Sequence, residues 1–203
     1  MTLMGRFALV LCLLTLPPAA FATTVAQLSF DEVVGTAGLV FEGRVINVEA
    51  RETGPRSIHT FVEFAVLDVL KGEYTGATIE LSYLGGRVGN RQLEVSELQL
   101  PAPGETGIYF VESLQGRHLH PLVGWSQGHY LIEQDSNGRA HVQSASHQPI
   151  RAVSIAPFAA AQTLNDDGVA SGVQIQAIGD AQSAMSAAGF KALVRERVRE
   201  LTP

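Results

Sequence analysis

Apolar and polar residues alternate over much of the chain, and this two-residue period predicts a mostly β protein. The clearest example is IHTFVEFAVLDVL at residues 58–70, where apolar side chains recur on both faces. Such a segment is expected to form a long strand that is covered on both sides for part of its length. Shorter segments of strand character lie at residues 39–50, 78–84, 107–112, 129–133 and 139–143.

Two segments have helical patterns instead. Ser29 and Glu32 have the spacing of a capping box, so a short helix should begin there and end near Gly35 or Gly38. The second helix lies at the C-terminus, within residues 185–203. Its apolar positions form one stripe, and arginines occupy the opposite face, which we expect to be solvated. The stripe consists of Phe190, Leu193, Val194, Val198 and Leu201. This pattern predicts a C-terminal amphipathic helix packed on the β domain.

Glycine-rich stretches separate several of the predicted strands. GGRVGN at residues 85–90 resembles a phosphate-binding loop, but such a loop needs a helix directly after it. The following RQLEVSEL alternates like a strand, so a β-hairpin is predicted here. Asn137-Gly138 is a second hairpin signal, of the type I′ class.

The first 22 residues have the pattern of a secretory signal peptide. Arg6 precedes an apolar run, two prolines end that run, and Ala20-Phe21-Ala22 supplies small residues for cleavage after Ala22. A membrane anchor is the alternative, but the apolar run is shorter than the roughly 20 residues that a spanning helix needs. We therefore expect an exported protein, either periplasmic or extracellular.

Cleavage after Ala22 would leave a mature chain of 181 residues without cysteine, because Cys12 is the only one. Its stability would then depend on core burial, since no disulfide is possible. Loss of Arg6 leaves 13 basic and 20 acidic residues, a net charge of −7 that argues against nucleic-acid partners. No integral membrane segment is expected after cleavage. The predicted organisation is a β domain at 23–144, an irregular connection at 145–184 and the helix at 185–203.

GWSQG at residues 124–128 matches the G-x-S-x-G pattern of a serine hydrolase nucleophile, which makes Ser126 a candidate. Asp135, His141 and His147 follow it and supply the other residue types of a triad. The serine elbow, however, works between a strand and a helix, and here strand-like segments lie on both sides. The sequence therefore predicts a structural turn and no catalytic residue, with a Ser126 hydrolase as the alternative.

Three histidines, His118, His120 and His129, form a candidate zinc site. His118 and His120 would share one face if they lay on a strand, and His129 follows the next predicted turn. No carboxylate is evident as the orienting partner that such sites normally have. We therefore predict no metal and no cofactor, and these three residues are the candidates if one binds.

Several motifs together resemble those of a widespread group of exported bacterial β proteins. They are LVFEGRVINVEA, LDVLKG, LGGRVG, PAPGETGIYFVE and VGWSQGHYLIE, which fall within residues 28–135. At the level of fold the pattern is similar to the five-stranded OB-type barrel of netrin-like domains and tissue inhibitors of metalloproteinases. That resemblance implies a barrel scaffold. The inhibitors rely on an N-terminal cysteine and several disulfides, which this mature chain lacks, so their activity is not implied.

These observations predict a small OB-like β-barrel with a short N-terminal helix and a C-terminal amphipathic helix. The expected function is that of an exported, non-catalytic binding or accessory module with an unidentified ligand. A serine hydrolase using Ser126 is one alternative, and an inhibitor or partner of an exported protease is another. The expected partner is another exported protein.

Overall fold

The computed structural model describes residues 25–96, 98–115, 119–154, 164, 167–175 and 184–201. The predicted signal peptide and its cleavage site lie outside these residues. The described chain is mostly β, as predicted, with one helix near each end. The helices are α1 (Phe30–Thr36) and α2 (Ala187–Leu201). The strands are β1 (Leu39–Gly54), β2 (Ser57–Lys71), β3 (Thr78–Leu84), β4 (Gly86–Val88), β5 (Arg91–Leu93), β6 (Thr106–Val111), β7 (His129–Gln134), β8 (Ala140–Ser144), β9 (Ile150–Val153) and β10 (Val173–Ile175).

One antiparallel sheet of six strands organises the fold, in the order β3-β2-β1-β6-β7-β8. The strands β4 and β5 form a separate hairpin, which confirms the hairpin predicted for the glycine-rich stretch at residues 85–90. The strands β9 and β10 pair with each other and lie within residues 145–184, for which the sequence predicted an irregular connection. None of the helices in the described part of the chain is long and apolar enough to span a membrane.

The capping box predicted for α1 is confirmed. The Ser29 hydroxyl accepts a hydrogen bond from the backbone N–H of Glu32 (3.2 Å), and the Glu32 carboxylate accepts one from the N–H of Ser29 (2.7 Å). At the other end, the ammonium group of Lys71 donates to the carbonyls of Val34 and Gly35. These contacts satisfy backbone groups that the ends of a helix leave without partners.

The long hairpin of β1 and β2 contains β-bulges that change which side chains share a face. Glu42 pairs with Asp68 and Gly43 with Val66, so Leu67 is an extra residue in β2 and is 53% exposed. A bulge inserts one residue into one strand and shifts the alternation beyond it. Val66 and Val69 therefore pack against the same apolar cluster, although strict alternation predicts opposite faces.

Two apolar clusters lie on opposite faces of the sheet. The cluster against the helices includes Phe30, Val40, Ile108, Phe110, Tyr130, Phe190 and Val194. The cluster on the other face includes Phe41, Val45, Val62, Phe64, Ile79, Leu81, Tyr83 and Tyr109. Neighbours along β6 alternate between the two clusters, so the centre of the sheet is covered on both sides.

A pair of glycines lets aromatic rings lie directly against the sheet. Gly43 on β1 is opposite Gly107 on β6. A Cβ atom at Gly43 would lie 2.6 Å from the ring of Phe41, and one at Gly107 would lie 3.0 Å from the ring of Tyr109. Hydrogen alone fits beneath these rings, so glycine is needed at both positions for packing rather than for a turn.

The helix α2 docks on the sheet, as predicted. Phe190 and Val194 are fully buried, and the Phe190 ring lies 5.7 Å from Phe30 and 4.8 Å from Tyr130 between centroids. The expectation of a fully solvated arginine face is wrong for Arg197. Its side chain is 15% exposed and forms an ion pair with Asp31 on α1.

Lysine and arginine side chains of α2 also contact the sheet. Lys191 lies 2.6 Å from Glu42 on β1 and 3.0 Å from Asp68 on β2, and Arg195 makes two hydrogen bonds to Asp68. These contacts lower the pKa of Asp68, although burial opposes the change. The helix is thus held by an apolar stripe with ion pairs beside it.

Candidate functional site

The GWSQG motif forms a turn with a short 3-10 helix at Trp125–Gly128, and β7 begins directly afterwards. Gly124 and Trp125 both have positive φ, 59° and 62°. A bulky residue rarely adopts the left-handed conformation, so the backbone here is held by its surroundings. Because β7 follows the turn directly, Ser126 does not have the strand–turn–helix context of a serine nucleophile.

The polar groups proposed for a triad each have other contacts. The Ser126 hydroxyl donates to the carbonyl of Gly168 (2.8 Å), which ties the turn to a distant segment. The Asp135 carboxylate accepts from backbone N–H groups in the β7–β8 turn, and His147 lies 3.1 Å from Glu133. His141 is opposite Glu133 in the β7–β8 register. These contacts give all four residues a place in the scaffold.

Gln127 joins the same turn to the start of the described chain. Its amide oxygen accepts from the N–H of Leu28 (2.7 Å), and its amide nitrogen donates to the carbonyls of Ala26 (2.9 Å) and Gly124 (3.0 Å). The side chain is fully buried. Buried polar groups need such partners, so Gln127 fixes residues 26–28 beside the turn.

Of the three candidate zinc ligands, the structure describes two, and these two contact different groups. His118 lies outside the described residues. His120 lies in the connection between β6 and β7, and the N–H of Leu122 lies 3.2 Å from its Nδ1. His129 opens β7 and places Nε2 2.9 Å from the Glu105 carboxylate. Among the residues that the structure describes, no three His, Cys, Asp or Glu side chains are arranged to hold a metal ion.

His120 and His129 instead belong to a buried polar cluster that also contains Tyr83, Glu105 and Tyr109. The His129 ring stacks on Tyr109 at 4.9 Å, and the Tyr109 hydroxyl lies 3.5 Å from Glu105. The His120 ring meets the edge of Tyr83 at 5.1 Å. The Tyr83 hydroxyl is buried and has no hydrogen-bond partner among the residues that the structure describes, which is unusual for a buried polar group.

Burial and nearby charge determine the ionisation of this cluster. Burial lowers the pKa of His120 to about 4, with the charge of His129 acting in the same direction and the hydrogen bond to the Leu122 backbone opposing it. Burial raises the pKa of Glu105, but hydrogen bonds and charge interactions, those with His129 above all, outweigh burial and leave the pKa below its ordinary value. Burial also raises the pKa of Tyr83, and the charge of Glu105 adds to that effect. The cluster therefore favours a neutral His120 and an ionised Glu105.

Beside this cluster, Trp125 lines an open depression of about 560 Å³, which we call the Trp125 groove. The indole and imidazole rings of Trp125 and His120 are nearly parallel, with an interplanar angle of 8° and centroids 5.2 Å apart. Other walls are formed by Val25, Leu28, Glu112 and Leu119. Leu119 is 69% exposed. The groove is thus an aromatic and apolar surface with one carboxylate.

The sequence pattern indicated the histidines as candidates but did not indicate Glu105 or a binding role for Trp125. Glu105 lies in the PGE loop, which indicates a turn, and it is 24 positions before His129. Glu105, directly before β6, is therefore a carboxylate partner of His129, although none was evident from the sequence. A glutamate directly before an apolar strand was the only available signal.

Comparison with known protein families, with curated proteins and with solved structures finds no match to this chain.

Proposed function

We propose that the protein is an exported, non-catalytic binding module and that the Trp125 groove is its ligand site. The observation that supports this proposal is the conformation of Trp125, which has a positive φ and a ring that stacks on the buried His120. Local strain of this kind costs free energy and persists where the surrounding contacts hold the residue in place. Here those contacts present an aromatic surface to an open depression, the usual form of a small binding site.

The chemistry of the groove favours an extended apolar segment of another exported protein. Val25, Leu28 and Leu119 offer apolar contact, and Trp125 offers a flat ring. Aromatic side chains of this kind commonly act as anchors at protein interfaces. Glu112 is exposed and supplies one negative charge at the wall, so a basic residue beside the apolar segment would fit. An inhibitor or partner of an exported protease would be one case of such a module.

We further propose that the sheet closes into the OB-like barrel predicted from the sequence. The sheet has the order β3-β2-β1-β6-β7-β8 with β3 at one edge, and closure would bring that edge against the segment that leads into β7. Two contacts support this proposal. The N–H of Leu84 at the end of β3 donates to the carbonyl of Leu119 (3.2 Å), and Tyr83 packs against His120. Both reach from β3 to the segment that leads into β7.

The binding proposal can be tested by site-specific photocrosslinking. A photoreactive phenylalanine analogue replaces Leu119 in the groove, and the purified chain from Thr23 to Pro203 is irradiated with the exported proteins of its native host. We expect a discrete adduct with one exported protein, because Leu119 is 69% exposed at the groove. Mass spectrometry of the adduct should identify an extended apolar segment of that protein.

Leu67 provides a matched control, because it is 53% exposed on β2 and does not line the groove. The same analogue at Leu67 should give no such adduct, and Trp125→Ala should reduce the adduct formed at Leu119. Equal crosslinking from both positions, or an adduct that is insensitive to Trp125→Ala, would contradict the groove as the ligand site.

The hydrolase alternative makes a different prediction. A catalytic Ser126 should react with a fluorophosphonate probe, and Ser126→Ala should abolish the label. We expect no label, because the Ser126 hydroxyl is engaged with Gly168 and no helix follows the turn. Specific labelling of Ser126 would make the hydrolase the leading function.

A further inference from the structure

The strand β3 lies at one edge of the six-stranded sheet, where it pairs with β2 on one side. Two backbone hydrogen bonds fix the direction of its polar groups. The N–H of Val66 donates to the carbonyl of Ala77 (2.9 Å), and the N–H of Gly85 donates to the carbonyl of Ile58 (2.8 Å). Backbone groups of successive residues alternate in direction along an antiparallel strand, so the odd-numbered residues of β3 face β2.

The N–H and carbonyl groups of Glu80 and Ser82 therefore point away from β2, towards the open side of the sheet. The N–H of Leu84 is directed to the same side, and its bond to the carbonyl of Leu119 (3.2 Å) agrees with this alternation. Among the described residues, no backbone group outside β2 forms a hydrogen bond with Glu80 or Ser82. Neither residue lines the Trp125 groove, so this open edge is a separate surface.

Carboxylates outnumber cations on the exposed face of this edge. Glu80 lies directly opposite Glu63 on β2. Arg51 contacts Glu80 (3.2 Å), but it also contacts Glu49 (2.7 Å). Glu63 is half-buried and forms no ion pair with any residue that the structure describes. Like charges directly opposite each other on neighbouring strands are destabilising, so an added cation is favourable here.

The other face of β3 is apolar, because Ile79, Leu81 and Tyr83 are buried in one of the two core clusters. Side chains of a strand that pairs with β3 alternate between the same two faces. Such a strand fits the edge best when its basic residues lie beside Glu80 and its apolar residues lie beside Leu81.

We propose that the open edge of β3 binds an extended segment of another protein as an additional antiparallel strand in which basic and apolar residues alternate. The outward N–H and carbonyl groups of Glu80 and Ser82 form the ladder to this strand. In the antiparallel arrangement the residue opposite Glu80 exchanges both hydrogen bonds with it, and its basic side chain lies beside the carboxylates of Glu80 and Glu63. The proposal does not depend on a ligand in the Trp125 groove.

A second copy of this chain is a poor occupant of the same edge. Two β3 strands that pair about a two-fold axis at Glu80 place their Glu80 carboxylates directly opposite each other, which is destabilising. Charged side chains on edge strands oppose self-association in this way. The negative charge at the edge therefore selects a basic partner.

Amide hydrogen exchange measured by NMR tests the open edge and its occupation together. In the purified chain from Thr23 to Pro203, the amides of Glu80 and Ser82 should exchange at least about tenfold faster than those of Ile79 and Leu81, which face β2. A short peptide of alternating lysine and valine should slow exchange at Glu80 and Ser82 by about tenfold. A peptide of alternating glutamate and valine is the control and should give no protection.

Backbone methylation of the lysine–valine peptide tests the strand geometry. In the antiparallel arrangement the lysine amides face β3 and the valine amides face away from it. Methylation of the lysine amides should therefore abolish protection, whereas methylation of the same number of valine amides should preserve it. Equal effects of the two methylated peptides would contradict strand addition.

A substitution on β3 provides the complementary test. Ser82→Pro removes an outward N–H without removing a hydrogen bond to β2, so the sheet should persist and peptide binding should weaken by about tenfold or more. Ser82→Thr keeps the N–H and is the matched control, which should bind the peptide as the wild type does. If Ser82→Pro fails to fold, the exchange measurements on the wild-type chain decide.

Protection of Glu80 and Ser82 in the free chain would overturn the proposal, because the edge would then already be paired. If sedimentation shows a dimer together with that protection, a second copy is the occupant. Failure of the lysine–valine peptide to slow exchange at these amides would also overturn the proposal. Crosslinking at Leu119 reports on the Trp125 groove, so its outcome is independent of these measurements.

Discussion

Individual polar side chains in this protein act mainly as connectors between segments that are distant in sequence. Gln127 joins the GWSQG turn to Ala26 and Leu28, and Ser126 joins it to Gly168. The motif that suggests a nucleophile is therefore the point where three parts of the chain meet. A nucleophile elbow and this structural turn share the G-x-S-x-G pattern, and only the secondary-structure elements around the pattern distinguish them.

Gln127→Ala should lower the free energy of unfolding by about 2–4 kcal/mol, because it removes a fully buried side chain and its three hydrogen bonds to Leu28, Ala26 and Gly124. Chemical denaturation monitored by circular dichroism measures the change. Gln134→Ala is a suitable control on exposed β7 surface and should change stability by no more than about 0.5 kcal/mol. A similar small effect at Gln127 would show that its hydrogen bonds are dispensable.

Glu105→Gln should flatten the acid dependence of stability. The folded-state pKa of Glu105 is lowered, so its ionised form stabilises the protein above the ordinary carboxyl pKa of about 4.3. That stabilisation is lost as the pH falls through the lower folded-state pKa. Denaturation at several pH values between 3 and 7 should show a shallower decline for the variant below about pH 4.3. An identical slope in both proteins would contradict this role.

At this scale the sequence predicted which residues could carry chemistry but not what they contact. His129 is a candidate zinc ligand by residue type, and in the structure its Nε2 contacts the carboxylate of Glu105. The two residues become neighbours only because β6 pairs with β7 and places Tyr109 opposite His129. No local spacing rule contains that information, since it depends on strand register.

The elements of secondary structure could be predicted more fully. The capping box of α1 and the limits of β3 at Thr78–Leu84 agree with the sequence pattern, because both depend on local residue order. The bulge at Leu67 could not be predicted. It depends on how β1 and β2 align, and it reverses the expected face of Val69. Local signals predict where a strand lies, whereas register determines what it buries.

Phe190 belongs to the apolar stripe of α2 and is fully buried in the core, so its removal should lower stability strongly. Phe190→Ala should lower stability by about 3–5 kcal/mol, because the ring is fully buried against Phe30 and Tyr130. Leu201→Ala on the same helix is the control, since Leu201 is 43% exposed, and should cost about 0.5 kcal/mol. Equal losses of stability in the two variants, measured by thermal or chemical denaturation, would show that burial of Phe190 does not hold the helix in place.

At the scale of the whole molecule, the sheet is enclosed by a helix-covered cluster on one face and an aromatic cluster on the other. The sequence predicted a mostly β domain with a docked C-terminal helix. The pairing of β1 with β6 could not be predicted, because residues 55–105 of the chain separate these two neighbouring strands. Gly43 and Gly107, which face each other across these two strands, are the residues in the sequence that reflect this pairing.

A chain that ends at Gly179 lacks α2 and should be less stable than Phe190→Ala. Loss of α2 exposes Phe30 and Tyr130, and it removes the ion pairs of Lys191 with Glu42 and Asp68. A thermal melt of the truncated and full-length chains measures the difference. An unchanged midpoint would show that α2 is not needed to close the core and would favour a role for it in binding.

The predicted export of the chain has its own test. Protein recovered from the native host should begin at Thr23, because Ala20 and Ala22 are the small residues that signal peptidase requires. N-terminal sequencing measures this directly. Retention of Met1 would contradict both the export and the composition inferred for the mature chain.

The engagement of both lysines has a practical consequence for handling the protein. Lys71 contacts two carbonyls of α1, and Lys191 contacts two carboxylates, so neither ammonium group is well placed for amine-reactive reagents. If the chain begins at Thr23, its terminal amine lies two residues before Val25 at the Trp125 groove. Amine coupling to a biosensor chip would then attach the protein beside its proposed ligand site. A chain that begins at Thr23 would have no cysteine, so a cysteine introduced at Asn137 in the exposed β7–β8 turn would provide an attachment point that does not line the groove.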